Sequence, residues 1–214
     1  MKGKLLVKIC GVTSEDDVAA CVAAGVDAIG INLWPGSIRF LERDRARAVA
    51  AAIPAGTLRV GVFVDAEPRA VADAMADLRL DRAQLHGAER PDAWGAFDPA
   101  NLIRAVRVKD ERSLEEAALW SCGLILYDAF VDGYGGGGVR APWTIIARGA
   151  RRPFLLAGGL SHDNVAEAVQ LSRPDGVDVA SGVESVPGRK DPARIRAFVE
   201  AARAEAARAA AGAP

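Results

Sequence analysis

The most constraining feature of this sequence is a repeated pattern in which a short β-type run is followed by a helical stretch. Eight such runs occur at intervals of about 25 residues, at 5–10, 28–33, 59–64, 83–86, 102–108, 124–128, 154–157 and 177–180. Strands that alternate with helices form a parallel sheet. Because eight near-equal units in 214 residues suit a closed barrel better than an open doubly wound sheet, the pattern predicts one α/β domain, a (β/α)8 TIM barrel, over residues 1–214. Its C-terminal tail is expected to fray from about residue 209.

Several helix starts are marked by local sequence signals. Ser14 precedes three acidic residues, which suits an N-cap followed by the positive end of a helix. Pro68 is expected at the first position of another helix, and Asp191 with Pro192 is expected to open the last one.

Charge and cysteine usage narrow the class of protein. Lys and Arg number 27 and Asp and Glu 28, giving a net charge of −1, so no electrostatic argument favours nucleic acid or an anionic membrane as a partner. Cys10, Cys21 and Cys122 are odd in number and lack metal-like spacing, which indicates reduced thiols and no bound metal. No signal-peptide pattern and no apolar run of membrane-spanning length is present, so the expected location is the cytoplasm.

The ends of the strands predict where the chemistry lies, because the active site of such a barrel is built there. Four strand ends carry groups able to move protons: Cys10, Asp65, His86 and Asp128. Asp128 follows four apolar residues, which favours a general acid or base over a carboxylate that only forms a structural pair. His86 is expected to line the substrate pocket.

Glycine-rich turns follow the seventh and eighth strands. Gly158 and Gly159 follow the seventh, and Ser181 and Gly182 follow the eighth. Backbone N–H groups in such turns can approach an anion closely, and these two loops commonly bind phosphate in barrels of this kind. The alternative is that both are ordinary tight turns, but their joint occurrence favours a phosphate site.

The first strand carries an unexpected lysine. If Cys10 points into the barrel mouth, alternation along the strand makes Lys8 point inward beneath it. A buried ammonium group needs a partner, and Asp178 on the neighbouring eighth strand can supply it. Cys10 is either a small buried apolar residue or a base whose pKa is lowered by the lysine and the following helix start.

An ordered set of motifs resembles the phosphoribosylanthranilate isomerase family. The motifs are KICG on the first strand, SIR after the second, QLHG on the fourth, YDA on the sixth, LAGGL with DNV after the seventh, and GVDVASGVE with PGRKD at the end. The resemblance spans about residues 5 to 200. It implies a barrel enzyme of tryptophan biosynthesis that converts N-(5-phosphoribosyl)anthranilate into an aminoketose by an Amadori rearrangement, without metal or cofactor.

The same resemblance implies roles for individual residues. Cys10 would be the general base, Asp128 the general acid, and Arg39 the partner of the anthranilate carboxylate. The two glycine-rich loops would hold the phosphate, with His86 and Asp178 among the substrate-binding residues. The expected partner is a small phosphosugar–anthranilate substrate, and the expected assembly is a monomer or a homodimer.

Two other functions fit the barrel less well. The related isomerase of histidine biosynthesis performs the same rearrangement, but it uses aspartate where this chain has Cys10 and requires two phosphate sites. A catalytically silent phosphosugar-binding barrel would not need both Cys10 and Asp128.

The loop after the sixth strand, residues 131–143, has five glycines among its first eight residues. This composition predicts a mobile lid that closes over bound substrate. The alternative is a permanently ordered turn held by Tyr134 and Trp143.

Overall fold

The computed structural model describes residues 4–129, 140–150 and 153–212, and the proposed lid lies mostly outside these ranges. Eight parallel strands close into a barrel in chain order, with β8 paired to β1. The strands are β1 (Leu6–Cys10), β2 (Ala28–Asn32), β3 (Leu58–Phe63), β4 (Arg82–Leu85), β5 (Leu102–Val108), β6 (Leu124–Ala129), β7 (Phe154–Leu156) and β8 (Gly176–Val179). The predicted TIM barrel is confirmed, and every strand lies within one residue of its predicted bounds.

Helices surround the barrel. They are α1 (Glu15–Ala23), α2 (Arg43–Ala52), α3 (Pro68–Leu78), α4 (Arg112–Ala118), α5 (Trp143–Gly149), α6 (Val165–Ser172) and α7 (Pro192–Ala211). The fourth unit departs from the predicted pattern, because two 3-10 turns, Pro91–Trp94 and Pro99–Asn101, connect β4 to β5. Proline is tolerated only at a helix start and Gly95 between the turns favours helix poorly, so no long helix forms there.

The predicted helix starts are present. Ser14 Oγ accepts a hydrogen bond from the Asp17 N–H at 3.1 Å, and Pro68 is the first residue of α3. Asp191 accepts hydrogen bonds from two N–H groups in the first turn of α7. This helix continues to Ala211, beyond the predicted start of fraying. Within the described ranges, no helix has the length and apolar character needed to cross a bilayer.

Two apolar layers form the core. The barrel interior is filled by small and medium side chains, namely Ala28, Val60, Ile103, Ala105, Leu126, Leu155 and Ala157. A larger cluster fills the space between the strands and the helices. Polar side chains interrupt this interior layer, since Lys8 lies opposite Ala28 and Gln84 lies opposite Ile103 in the strand register.

A short hairpin follows β8. A 3-10 turn, Ser181–Val183, leads into β9 (Glu184–Val186), which pairs in antiparallel fashion with β10 (Arg189–Lys190). The chain then enters α7, with the Asp191 N–H bound to the Val183 carbonyl at 2.8 Å. The hairpin therefore extends the eighth strand end at the barrel mouth.

Candidate active site

Lys8 and Asp178 form the predicted ion pair across the closing strands of the barrel. The two residues lie opposite each other in the β1–β8 register, and Lys8 Nζ is 2.8 Å from Asp178 Oδ1. Burial alone would lower the pKa of Lys8, but Asp178 holds it above its ordinary value. Asp178 therefore balances a buried charge, and its predicted contact with substrate stays a prediction.

Cys10 lies one step above Lys8 on the same face of β1. Gly30 on β2 makes room for it, since a Cβ atom at that position would lie 2.9 Å from Cys10 Sγ and 3.1 Å from Lys8 Nζ. Burial raises the pKa of the Cys10 thiol, while Lys8 and Lys190 oppose this shift. One of the two interpretations drawn from the sequence gave Cys10 a lowered pKa; the structure gives the opposite direction, because loss of hydration outweighs the nearby positive charges.

Alkylation of Cys10 by iodoacetamide is expected to accelerate about tenfold per pH unit between pH 7 and 9, because only the thiolate reacts and its pKa is raised. Peptide mass spectrometry after timed labelling measures this rate. Cys21 is the internal control, since burial raises its pKa to about 12 and it should stay unlabelled in the folded protein. A rate that does not change with pH would show that the thiolate already predominates at pH 7.

Asp128 lies at the carboxyl end of β6 and has two neighbours. Its Oδ1 accepts a hydrogen bond from the Ala129 N–H at 2.7 Å, and its Oδ2 lies 3.3 Å from His86 Nε2. His86 Nδ1 in turn lies 2.9 Å from Gln84 Nε2. With the Gln84 amide donating, a neutral His86 carries its proton on Nε2, the nitrogen nearer to Asp128. The predicted His86 thus contacts the predicted acid.

The loops after β7 and β8 contact each other. Gly158 and Gly159 have positive φ angles of 83° and 63°, which side chains other than glycine rarely adopt. A Cβ atom on Gly182 would collide with the Leu160 carbonyl oxygen, so the two loops touch through their backbones. The N–H groups of Gly159, Ser181 and Gly182 have no acceptor among the described residues, which leaves them available to an anion.

Arg39 forms an ion pair with Glu184 at the barrel mouth. Its Nε and Nη2 atoms each donate to one oxygen of Glu184 at 2.7 Å, in a bidentate pair that is almost fully buried. This hydrogen bonding raises the pKa of Arg39, which stays charged. The Arg39 stem passes so close to Gly11 that a Cβ atom there would collide with its Cδ.

A cavity of about 360 Å³ adjoins Arg39. It is lined by the loop after β2 and by the β8 turn and hairpin, through Trp34, Gly36, Ser37, Ile38, Arg39, Ser181, Glu184, Ser185, Val186 and Pro187. Neither Cys10 nor Asp128 lines this cavity. In the described part of the chain, no cluster of three or more His, Cys, Asp or Glu side chains could hold a metal ion.

The sequence reasoning assigned no role to Glu184, Lys190 or Gln84. Glu184 and Lys190 belong to the quoted motifs GVDVASGVE and PGRKD, so a signal for them existed. Their contacts are the part that sequence spacing does not reveal, because Glu184 reaches Arg39 across 145 positions of the chain. Gln84 precedes His86 by two residues on a strand, and alternation alone could have paired them.

Comparison with known proteins identifies the family. A family model described as N-(5'phosphoribosyl)anthranilate (PRA) isomerase matches residues 7–201. The N-(5'-phosphoribosyl)anthranilate isomerase of Myxococcus xanthus is 44% identical over 204 residues, covering 92% of this chain and 95% of the relative. The crystal structure of phosphoribosyl anthranilate isomerase from Thermotoga maritima superposes with a TM-score of 0.85 at 36% identity, covering 94% of this chain and 99% of that chain.

A second solved structure of phosphoribosyl anthranilate isomerase is a complex with reduced 1-(o-carboxyphenylamino)-1-deoxyribulose 5-phosphate. It superposes with a TM-score of 0.83 at 35% identity, covering 94% of this chain and 99% of that chain. These matches agree with the closed eight-stranded barrel described above. The chain therefore belongs to the N-(5'-phosphoribosyl)anthranilate isomerase family and is an enzyme of tryptophan biosynthesis.

Proposed function

We propose that Cys10 and Asp128 are the general base and general acid of the Amadori rearrangement of N-(5'-phosphoribosyl)anthranilate. The acid protonates the furanose ring oxygen, the ring C–O bond breaks, and a Schiff base forms. The base then removes the C2 proton to give an enolamine, which tautomerises to the aminoketose. The observation that carries this assignment is their placement: β1 and β6 are three strands apart around the closed barrel, so the two groups can flank a sugar.

Gln84, His86 and Asp128 form a chain that supports the acid role. With its amide as placed, Gln84 donates to Nδ1, so the proton of a neutral His86 is on Nε2, the atom 3.3 Å from Asp128 Oδ2. Gln84 Oε1 is buried without a described partner, so the opposite amide orientation would let it accept the Nδ1 proton. His86 Nε2 would then accept the Asp128 proton. The Gln84–His86–Asp128 contacts can therefore accommodate Asp128 both with and without its proton, as a general acid requires.

Two anchors fix the ends of the substrate in this proposal. The N–H groups of Gly159, Ser181 and Gly182, which have no acceptor within residues 4–129, 140–150 and 153–212, bind the phosphate. Arg39 binds the anthranilate carboxylate with the part of its guanidinium that Glu184 leaves unused. Both anchors act equally on substrate and transition state, so they set affinity, whereas Cys10 and Asp128 set the rate.

Arg39→Ala is expected to raise KM by about 10- to 150-fold, which corresponds to about 1.5–3 kcal/mol for a lost charge-assisted hydrogen bond. The kcat should change much less, because Arg39 touches no reacting atom. Steady-state kinetics measure both constants. Arg43→Ala, at an exposed residue of α2, is the matched control and should leave KM unchanged. An unchanged KM for Arg39→Ala would place the carboxylate contact elsewhere.

A turnover assay that follows the loss of substrate fluorescence tests the function as a whole. Conversion of the phosphoribosylanthranilate is expected, with no conversion of the aminoaldose from histidine biosynthesis. Binding without turnover would instead support the silent barrel. Location in the cytoplasm and a monomeric or homodimeric assembly stay predictions.

A further inference from the structure

We propose that Glu184 is a positioning residue for Arg39: by holding the Nε–Nη2 edge of the guanidinium, it aims the remaining Nη1–Nη2 end at the substrate carboxylate. This inference rests on the proposed function of Arg39. Glu184 contacts no reacting atom in it and acts only through its partner.

The geometry of the pair carries the first step. Arginine can meet a carboxylate through its Nε–Nη2 side or through its Nη1–Nη2 end. Glu184 occupies the first of these completely, with both contacts at 2.7 Å. The Arg39 stem is confined against Gly11, so the guanidinium has little freedom to turn away. An incoming carboxylate is left with the Nη1–Nη2 end alone.

Residues of the hairpin hydrogen-bond both carboxylate oxygens of Glu184. Lys190 Nζ donates to Glu184 Oε1 at 2.8 Å, and the Gly188 N–H donates to Oε2 at 3.1 Å. The Lys190 ammonium also donates to the Ala180 carbonyl at 3.0 Å, directly before the turn that is proposed to bind phosphate. Glu184 is thereby tied to the phosphate loop, which fixes the distance between the two ends of the substrate site.

The charges of the cluster favour an anion. Arg39 and Lys190 are positive and Glu184 is negative, so the three buried groups carry one unmatched positive charge. Arg39 and Lys190 both interact electrostatically with Cys10, which places that charge near the base. A substrate carboxylate would neutralise it. Glu184 therefore does not cancel the attraction of Arg39 for the substrate carboxylate, because the positive charge of Lys190 offsets the negative charge of Glu184.

A pair of inhibitors isolates this role. One is reduced 1-(o-carboxyphenylamino)-1-deoxyribulose 5-phosphate, and the other is the matching anilino compound without the carboxylate. The inhibition constant of the anilino compound divided by that of the carboxylate compound measures recognition of the carboxylate alone. Glu184→Gln is expected to reduce this ratio about tenfold, since the amide cannot accept both guanidinium bonds and the Nη1–Nη2 end is no longer held toward the substrate carboxylate. The anilino compound should bind as in the wild type.

Three comparisons make the result decisive. Glu167→Gln, the same change at an exposed residue of α6, should leave the ratio unaltered. In an Arg39→Ala background, Glu184→Gln should have no further effect, because its partner is gone. Should Glu184→Gln fail to fold, Glu184→Asp keeps the charge but shortens the reach, and the ratio should fall with it.

An unchanged ratio in both Glu184 variants, or equal weakening of the two inhibitors, would overturn the inference. If Arg39→Ala itself leaves the ratio intact, the proposed function of Arg39 fails instead. The two failures are therefore distinguishable.

Discussion

Replacing either proton-transfer group is expected to nearly abolish turnover: Cys10→Ala and Asp128→Asn should each lower kcat by about 10²- to 10⁴-fold, or about 3–5 kcal/mol. Each variant keeps the phosphate and carboxylate anchors, so KM should change little. In Asp128→Asn the Ala129 N–H can still donate to the side-chain oxygen of the introduced amide, so the β6 end should retain its conformation.

Asp65→Asn is the matched control for this prediction. Asp65 also follows a strand end, but its side chain accepts the Ala88 N–H and links two loops. An asparagine oxygen can accept the same bond, so kcat should stay near the wild-type value. A Cys10 or Asp128 variant that keeps more than about a tenth of the wild-type kcat would refute the role assigned to that residue.

Lys8→Met is expected to lower the free energy of unfolding by about 3–5 kcal/mol, because it leaves the Asp178 carboxylate buried without its counter-charge. Asp178→Asn added to it should recover at least half of the loss by removing that charge. Urea unfolding followed by circular dichroism measures both values.

The chain offers a matched control on the segment that leads into β1. Lys4 pairs with Asp27 at 2.9 Å, but its side chain is 61% exposed. Lys4→Met should therefore cost no more than about 1 kcal/mol. Equal losses for the two lysine variants would mean that burial of the Lys8–Asp178 pair adds nothing to stability. Failure of the double variant to recover would show that Lys8 supports the fold by packing rather than by charge.

The fold was predictable because its signals are local. Alternating β-type and helical segments, a capping serine before α1, and proline at the start of α3 each arise from neighbours in sequence. The fourth unit was the exception. The spacing of the strands predicts the number of βα units, but it does not show whether a segment that contains Pro91, Gly95 and Pro99 can form a helix.

The sequence by itself determined which groups stand at the barrel mouth. Strand ends in a closed barrel must converge, so Cys10, His86, Asp128 and the two glycine-rich loops could be brought together from order alone. The Lys8–Asp178 pair followed from alternation and from closure of β8 onto β1.

Tertiary structure alone decided the state of those groups. The pKa of Cys10 depends on how much water the packed mouth excludes, and burial overrides the neighbouring lysines in a way that no spacing encodes. The partner of Arg39 depends on where the hairpin after β8 folds back, which brings Glu184 to the guanidinium from 145 positions away. Sequence order fixes which side chains meet in a barrel, but desolvation and long-range pairing, which set their charge and direction, exist only once the chain has packed.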